Sequence, residues 1–261
     1  MTELPDLTGR GAIVTGSSRG VGADTAKFLA ERGAGVVVNY RQKAPRAKKV
    51  VSAIEEAGGK AVAVGADITE AQGRTAMIQA ATENFGELSI LILNASGGME
   101  SDLGEDYAMR LNRDAQVALL TEAAEVMPEQ SEVVFVTSHQ AHFIDQVDTL
   151  PEYEQVARSK RAGEVALRAQ IPALTAKGIR LVVATADMIE GTITATLLNR
   201  MRPGAIEARR QAAGKLYTVA EFAEEIAGLV GRTDLQTGHT EYVGGAEDFL
   251  AVAGDPDHAE N

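Results

Sequence analysis

Residues 11–22 read GAIVTGSSRGVG, and this stretch decides the fold. Ala12, Ile13 and Val14 form a short apolar run of the kind a buried strand carries. Thr15, Gly16, Gly20 and Gly22 follow in the spacing Thr-Gly-x-x-x-Gly-x-Gly. The next residues, ADTAKFLAER, bring Ala23, Ala26, Phe28, Leu29 and Ala30 round at helical intervals until Gly33 stops them. The glycines therefore sit on a strand-to-helix turn. There the N–H groups of a helix N-terminus, with the helix dipole behind them, hold a pyrophosphate. Gly16 permits the tight turn, Gly20 lets the backbone approach the phosphates, and Gly22 lets the helix pack on the sheet. Gly16, Ser18, Arg19, Gly20, Val21 and Gly22 are candidate dinucleotide contacts. Three glycines alone are a weak signal; inside a strand-turn-helix unit they are a strong one.

Outward from this turn, strands and helices alternate. Residues 34–40 (AGVVVNY), 61–67 (AVAVGAD), 88–98 (LSILILNASGG), 132–143 (EVVFVTSHQAHF), 178–192 (GIRLVVATADMIEGT) and 237–245 (TGHTEYVGG) read as strands or strands with their exits. Helices are expected at 46–57, 105–127, 151–176 and 219–230. Thr69 with Gln72 and Thr218 with Glu221 have the spacing of capping boxes. With short connections, this order gives an α/β, doubly wound (Rossmann) parallel sheet of seven strands with helices on both faces. One domain is expected over residues 1–252, with a lid at about 190–215 and a polar tail at 253–261. No internal repeat or linker is evident.

Composition narrows the function classes. The 261 residues carry 45% apolar side chains, a formal charge of −12 and no cysteine. That charge argues against nucleic acid as a general partner. Without cysteine there is neither a disulfide framework nor a thiol nucleophile. No apolar run approaches the ~20 residues of a membrane span, and the N-terminus lacks the pattern of a secretion signal. A cytoplasmic protein without a membrane partner is expected. His139 and His142 complete no ligand set, so no metal is expected.

The end of the second strand reads on the dinucleotide. An acidic residue there binds the ribose 2′-hydroxyl of NAD and repels a 2′-phosphate. Here the strand ends Asn39-Tyr40-Arg41, and Lys43 follows. Arg19 in the glycine turn and Arg41 are placed to fork a 2′-phosphate, so NADPH is expected in preference to NADH. Ser138 ends the fifth strand, on the sheet edge where open parallel sheets carry their ligands.

TGSSRGVG resembles the nucleotide-binding loop of the short-chain dehydrogenase/reductase family, and by motif order the resemblance runs through roughly nine tenths of the chain. Asn39-Tyr40-Arg41 is similar to the family's NADP-preferring members. Asp67-Ile68 resembles the pair the family sets beside the adenine. Asn94-Ala95 resembles the start of its Asn-Ala-Gly signature, with Ser96 in place of the glycine and a shortened segment after it. Asn112 resembles the asparagine that holds a water near the catalytic lysine. Val-Thr-Ser138 resembles the strand end whose serine hydrogen-bonds the substrate carbonyl. Ser159-Lys160-Arg161-Ala162 resembles the surroundings of the catalytic lysine. The stretch from Gly178 resembles the segment that meets the nicotinamide carboxamide, through the backbone of Ile189 and the hydroxyl of Thr192.

The hallmark Tyr-x-x-x-Lys is altered. Four residues before Lys160 stands Val156, and Tyr153 lies one turn earlier. At about 100° per residue Tyr153 returns to nearly the face of Lys160, ~4.5 Å beyond the usual position along the axis. Its Cβ tilts away from Lys160. Tyr153 and, as alternatives, His139, His142, Asp187 or an acidic group of the substrate itself are the candidate proton donors. Asp187 replaces the family's Pro-Gly glycine and reads either as a proton-transfer group or as a helix cap.

The resemblance implies an NADP-dependent oxidoreductase, transferring hydride between NADPH and a small carbonyl or alcohol substrate such as a ketone, aldehyde or quinone. It also implies a homo-dimer or homo-tetramer built on helices 105–127 and 151–176. The alternative, favoured by Val156 and the altered Pro-Gly, is a catalytically inactive NADP-binding sensor or interaction protein.

Overall fold

The structure, a computed structural model, describes residues 4–99, 104 and 106–253. Seven strands, β1 (Gly11–Val14), β2 (Gly35–Tyr40), β3 (Lys60–Gly65), β4 (Ile90–Leu93), β5 (Glu132–Val136), β6 (Arg180–Ala186) and β7 (Thr240–Val243), pair in the order 3-2-1-4-5-6-7. Every pairing is parallel, with Ala12 opposite Val36 on one side and Ile90 on the other. Parallel neighbours require crossovers, and the helices that make them cover both faces.

Strand periodicity splits the core into two layers. Ala12, Val14, Val36, Val38, Ile90 and Ile92 pack on one face, beneath α1 (Gly20–Glu31), α2 (Ala44–Glu56) and α11 (Val219–Gly228). Ile13, Val37, Leu91, Leu93, Val133 and Phe135 pack on the other. There lie α3 (Ala71–Phe85), α5 (Gln116–Ala123), α7 (Pro151–Arg168) and α8 (Ile171–Ala176). The central strands read as unbroken apolar runs because both of their faces are buried. At the β1/β4 boundary the strand order reverses, and a crevice opens at the carboxyl ends of the strands.

Four expectations need correction. The helix expected over 105–127 is α4 (Tyr107–Met109), a π-helical turn Arg110–Ala115, and α5. The cause is local. Asn112 is tied sideways to α7, and Gly163 comes so close that a Cβ there would lie 2.1 Å from the Asn112 carbonyl oxygen. The helix expected over 151–176 breaks before α8, which carries Pro172 in its first turn. Proline supplies no N–H to continue the preceding helix and disfavours helical backbone just before it. The strand expected over 132–143 ends at Val136, because Ser138 caps a short helix, α6 (His139–His142), by accepting from the Ala141 N–H. The Thr69–Gln72 capping box does not form. Thr69 instead gives both its N–H, at 2.9 Å, and its hydroxyl, at 2.7 Å, to the Asp67 carboxylate.

The Thr218–Glu221 box does form and starts α11. The segment expected as a lid forms α9 (Ile193–Met201) and α10 (Ala205–Ala213), and α12 (Glu247–Ala253) closes the described chain. The expected tail falls outside the described residues from 254 onward. Among the described residues no helix is long and apolar enough to cross a membrane.

Candidate active site

A cavity of about 1210 Å³ occupies the crevice, running from the glycine turn past the ends of β1, β4, β5 and β6 to α9 and α10. Its first part is framed by the turn. Gly16 and Gly20 have φ of 65° and 58°, left-handed backbone that glycine adopts without a Cβ clash. A Cβ on Gly22 would lie 2.5 Å from Asn94 Nδ2 and 2.9 Å from the Gly16 carbonyl oxygen. No side chain caps the first turn of α1, so its N–H groups are left for a ligand. That is a cradle for a pyrophosphate. Ser18, Arg19 and Val21 line it.

Two predicted contacts serve the frame itself. Asn39 is almost fully buried; its Oδ1 accepts from the Gly16 N–H at 3.0 Å and its Nδ2 donates to the Ala66 carbonyl at 3.0 Å. Asn94 donates from Nδ2 to the Thr15 carbonyl at 2.9 Å. The N–H groups of Asn94 and Ala95 both donate to Thr15 Oγ1 at 2.9 Å. Thr15 thus joins the β1 and β4 exits, a role its place beside Gly16 did not announce.

Beyond β2 the wall turns basic. Arg19, Arg41, Lys43 and Arg46 line it, with Asp67 and Ile68 opposite the turn. Arg41 donates to the Tyr107 hydroxyl, and its guanidinium carbon lies 5.5 Å from the centre of that ring. Arg46 was missed in the sequence, although it lies one helical turn past Lys43.

Ser138, Tyr153 and Lys160 all line the cavity. Ser138 Oγ and the Tyr153 hydroxyl are 3.1 Å apart. Both Tyr153 and Lys160 are nearly buried, at 6% and 9% exposure. Val156 does not line the cavity; it packs with Tyr153, Ala157 and Leu198 in an apolar cluster. Asn112 does not reach the cavity either. Its Oδ1 accepts from the Gly97 N–H, and its Nδ2 donates to the Gly97 carbonyl at 2.8 Å and to Ser159 Oγ at 2.9 Å. Through Ser159 the carboxamide is tied to the neighbour of Lys160. Ile189 and Thr192 line the cavity, but the Thr192 hydroxyl donates to the Ile189 carbonyl and caps α9.

His139 and His142 lie behind the cavity wall, among Phe143, Tyr242 and Phe249. His139 Nε2 donates to the Gly245 carbonyl at 2.9 Å, which leaves Nδ1 to accept from Thr185 Oγ1 at 3.0 Å. Burial pushes this imidazole down to about 4. His142 Nδ1 meets the fully buried Glu164 at 2.9 Å, and its Nε2 lies 3.1 Å from the Tyr242 hydroxyl. Burial pushes the Glu164 carboxyl up, but the His142 hydrogen bond, Arg168 and Arg161 outweigh it and hold the group below the usual carboxylate range. Asp187 does line the cavity and caps no helix; it is ion-paired to Arg209. No group of three metal-ligating side chains is found among the described residues.

The sequence profile described as short chain dehydrogenase matches residues 10–202. A probable tetrahydroxynaphthalene reductase of Zymoseptoria tritici is 35% identical over 168 residues, 62% of this chain and 61% of that protein. A 1-cyclohexenylcarbonyl-CoA reductase of Streptomyces collinus is 31% identical over 258 residues, 94% of this chain and 90% of that one. With several other curated relatives the match spans less than two thirds of their length. Among solved structures, a short chain dehydrogenase from Burkholderia cenocepacia in complex with NADP superposes with a TM-score of 0.76 at 28% identity, covering 90% of this chain and 96% of that one.

Proposed function

The chain belongs to the short-chain dehydrogenase family, and from that premise we propose that it is an NADP-dependent reductase of small carbonyl compounds whose tyrosine stands one turn early on its helix. The observation that carries this reading is the 3.1 Å contact between Tyr153 and Ser138 in a cavity shared with Lys160 and the glycine turn.

The uncapped N-terminus of α1 and the glycine turn would hold the pyrophosphate. Arg19, Arg41 and Arg46 would take the 2′-phosphate, with Asp67 and Ile68 beside the adenine. Asn94, Ala95, Ile189 and Thr192 would flank the nicotinamide end. Bound there, the dinucleotide supplies the hydride. Ser138 Oγ donates a hydrogen bond to the substrate carbonyl oxygen and orients it. The Tyr153 hydroxyl gives that oxygen its proton. The Lys160 ammonium would hold the ribose of a bound dinucleotide and would stabilise the phenolate that Tyr153 leaves behind. Asn112 is a positioning residue, acting through Ser159. Val126 and Val165, both about half exposed near the ends of α5 and α7, suit a face between copies of this chain.

The test is NADPH consumption with a panel of uncharged ketones and quinones. Turnover is the expected result. NADPH binding without turnover on any member would favour the sensor reading.

A further inference from the structure

Asp187 stands in the cavity at the exit of β6 and takes no part in the chemistry above. Its Oδ1 accepts from Gln140 Nε2 at 2.7 Å and from the Met188 N–H at 2.7 Å. Its Oδ2 accepts from Arg209 Nε at 2.6 Å, with a second Arg209 nitrogen also at 2.6 Å. Each of these contacts is one that the carboxylate accepts, so no proton is placed for delivery. The side chains are only 14% and 24% exposed, and both Arg209 nitrogens converge on the single oxygen Oδ2.

Arg209 comes from α10, and its guanidinium carbon lies 5.0 Å from the centre of the Phe249 ring. Its other carboxylate neighbour, Asp248, is 4.0 Å away and mostly exposed. A second cation on the cavity wall, Arg202, lies 3.6 Å from Glu152. Asp148, exposed at the mouth, adds only negative charge. The rest of this end is largely apolar, with Leu150, Met188, Ile193, Leu198 and Phe249 on the wall.

Resting on the reductase reading, we propose that Asp187 is a specificity-determining residue: by holding Arg209 it makes the substrate end select uncharged apolar carbonyl compounds and reject those bearing a carboxylate. An entering carboxylate loses its water and meets an arginine already committed to an internal partner.

The experiment measures binding of 2-acetylnaphthalene and 2-naphthoate to the NADPH-loaded protein by calorimetry, so it does not depend on turnover. The wild-type protein is expected to bind the ketone at least about tenfold more tightly than the acid. Asp187→Asn keeps the side-chain shape and releases Arg209, so the acid should gain about tenfold or more relative to the ketone. Asp187→Asn combined with Arg209→Gln should lose that gain. Arg209→Gln alone gives an arm that survives misfolding of the first variant: it takes the cation from Asp187 Oδ2 and should favour an amine-bearing acetylnaphthalene over the acid. A ketone-to-acid ratio that Asp187→Asn leaves unchanged overturns the proposal. So does equal binding of acid and ketone to the wild-type protein, or failure of the ketone to bind. Turnover of the bound ketone is scored separately: binding with the expected ratio but no turnover counts against the reductase reading and not against charge selection.

Discussion

At the scale of single residues, the proposed preference for NADPH rests on Arg41. It follows the strand whose end would bear a carboxylate in an NAD-selective turn. Tyr107 holds it from both sides of chemistry, with a hydroxyl acceptor and a ring face. That support comes from a residue 66 positions away, which is why the sequence revealed the arginine but not its anchor. Arg41→Asp removes a cation and sets a carboxylate against the 2′-phosphate. NADPH should bind about tenfold or more less tightly, a loss on the order of 1.4 kcal/mol, while NADH binding changes little. Direct titration of both dinucleotides checks it; an unchanged ratio would remove Arg41 from the phosphate site. Asn39 is a like case. It lines the cavity, and its carboxamide also binds Gly16 and Ala66, contacts that no local pattern announced.

At the scale of elements, His139 clasps α6 to β6 through Thr185 and to the turn after β7 through Gly245. The same short helix begins with Ser138, so the clasp steadies the strand exit that carries the serine. Burial holds this imidazole at about 4, below its ordinary 6.5. The unfolded chain therefore binds the proton more readily. The contribution is complete above about pH 6.5 and is lost as pH falls through about 4. Its size is about 3 kcal/mol. Urea midpoints measured across that window should fall for the wild-type protein and fall less steeply for His139→Gln. Parallel slopes would show that His139 is not the group responsible. The places of the strands and long helices were legible, while several ends were not: β5 stops at Val136 and the second long helix breaks before Pro172. The π turn at Arg110–Ala115 was not legible either, because it follows from Asn112 and Gly163 meeting across two helices, and no local pattern encodes that encounter.

For the whole molecule, the parallel seven-stranded sheet with helices on both faces followed from the alternation of apolar runs, which fixes what each element must bury; the order of the strands did not. Net charge was a poorer guide to the site. A chain of formal charge −12 gathers Arg19, Arg41, Lys43 and Arg46 along one wall of one cavity, and a sum over the sequence averages that concentration away. The altered Tyr-x-x-x-Lys was visible as a departure, but its consequence lay in how the segment after α6 leads into α7. Helical geometry alone put Tyr153 farther along the axis from Lys160; the folded chain sets its hydroxyl 3.1 Å from Ser138 and packs Val156 away from the cavity. The central claim is that Tyr153 delivers the proton. It is tested most directly by the turnover number of Tyr153→Phe on a ketone the wild-type protein reduces, at saturating NADPH and substrate. The account predicts a fall of about 10²–10⁴-fold with NADPH affinity unchanged. Turnover near the wild-type value would contradict it.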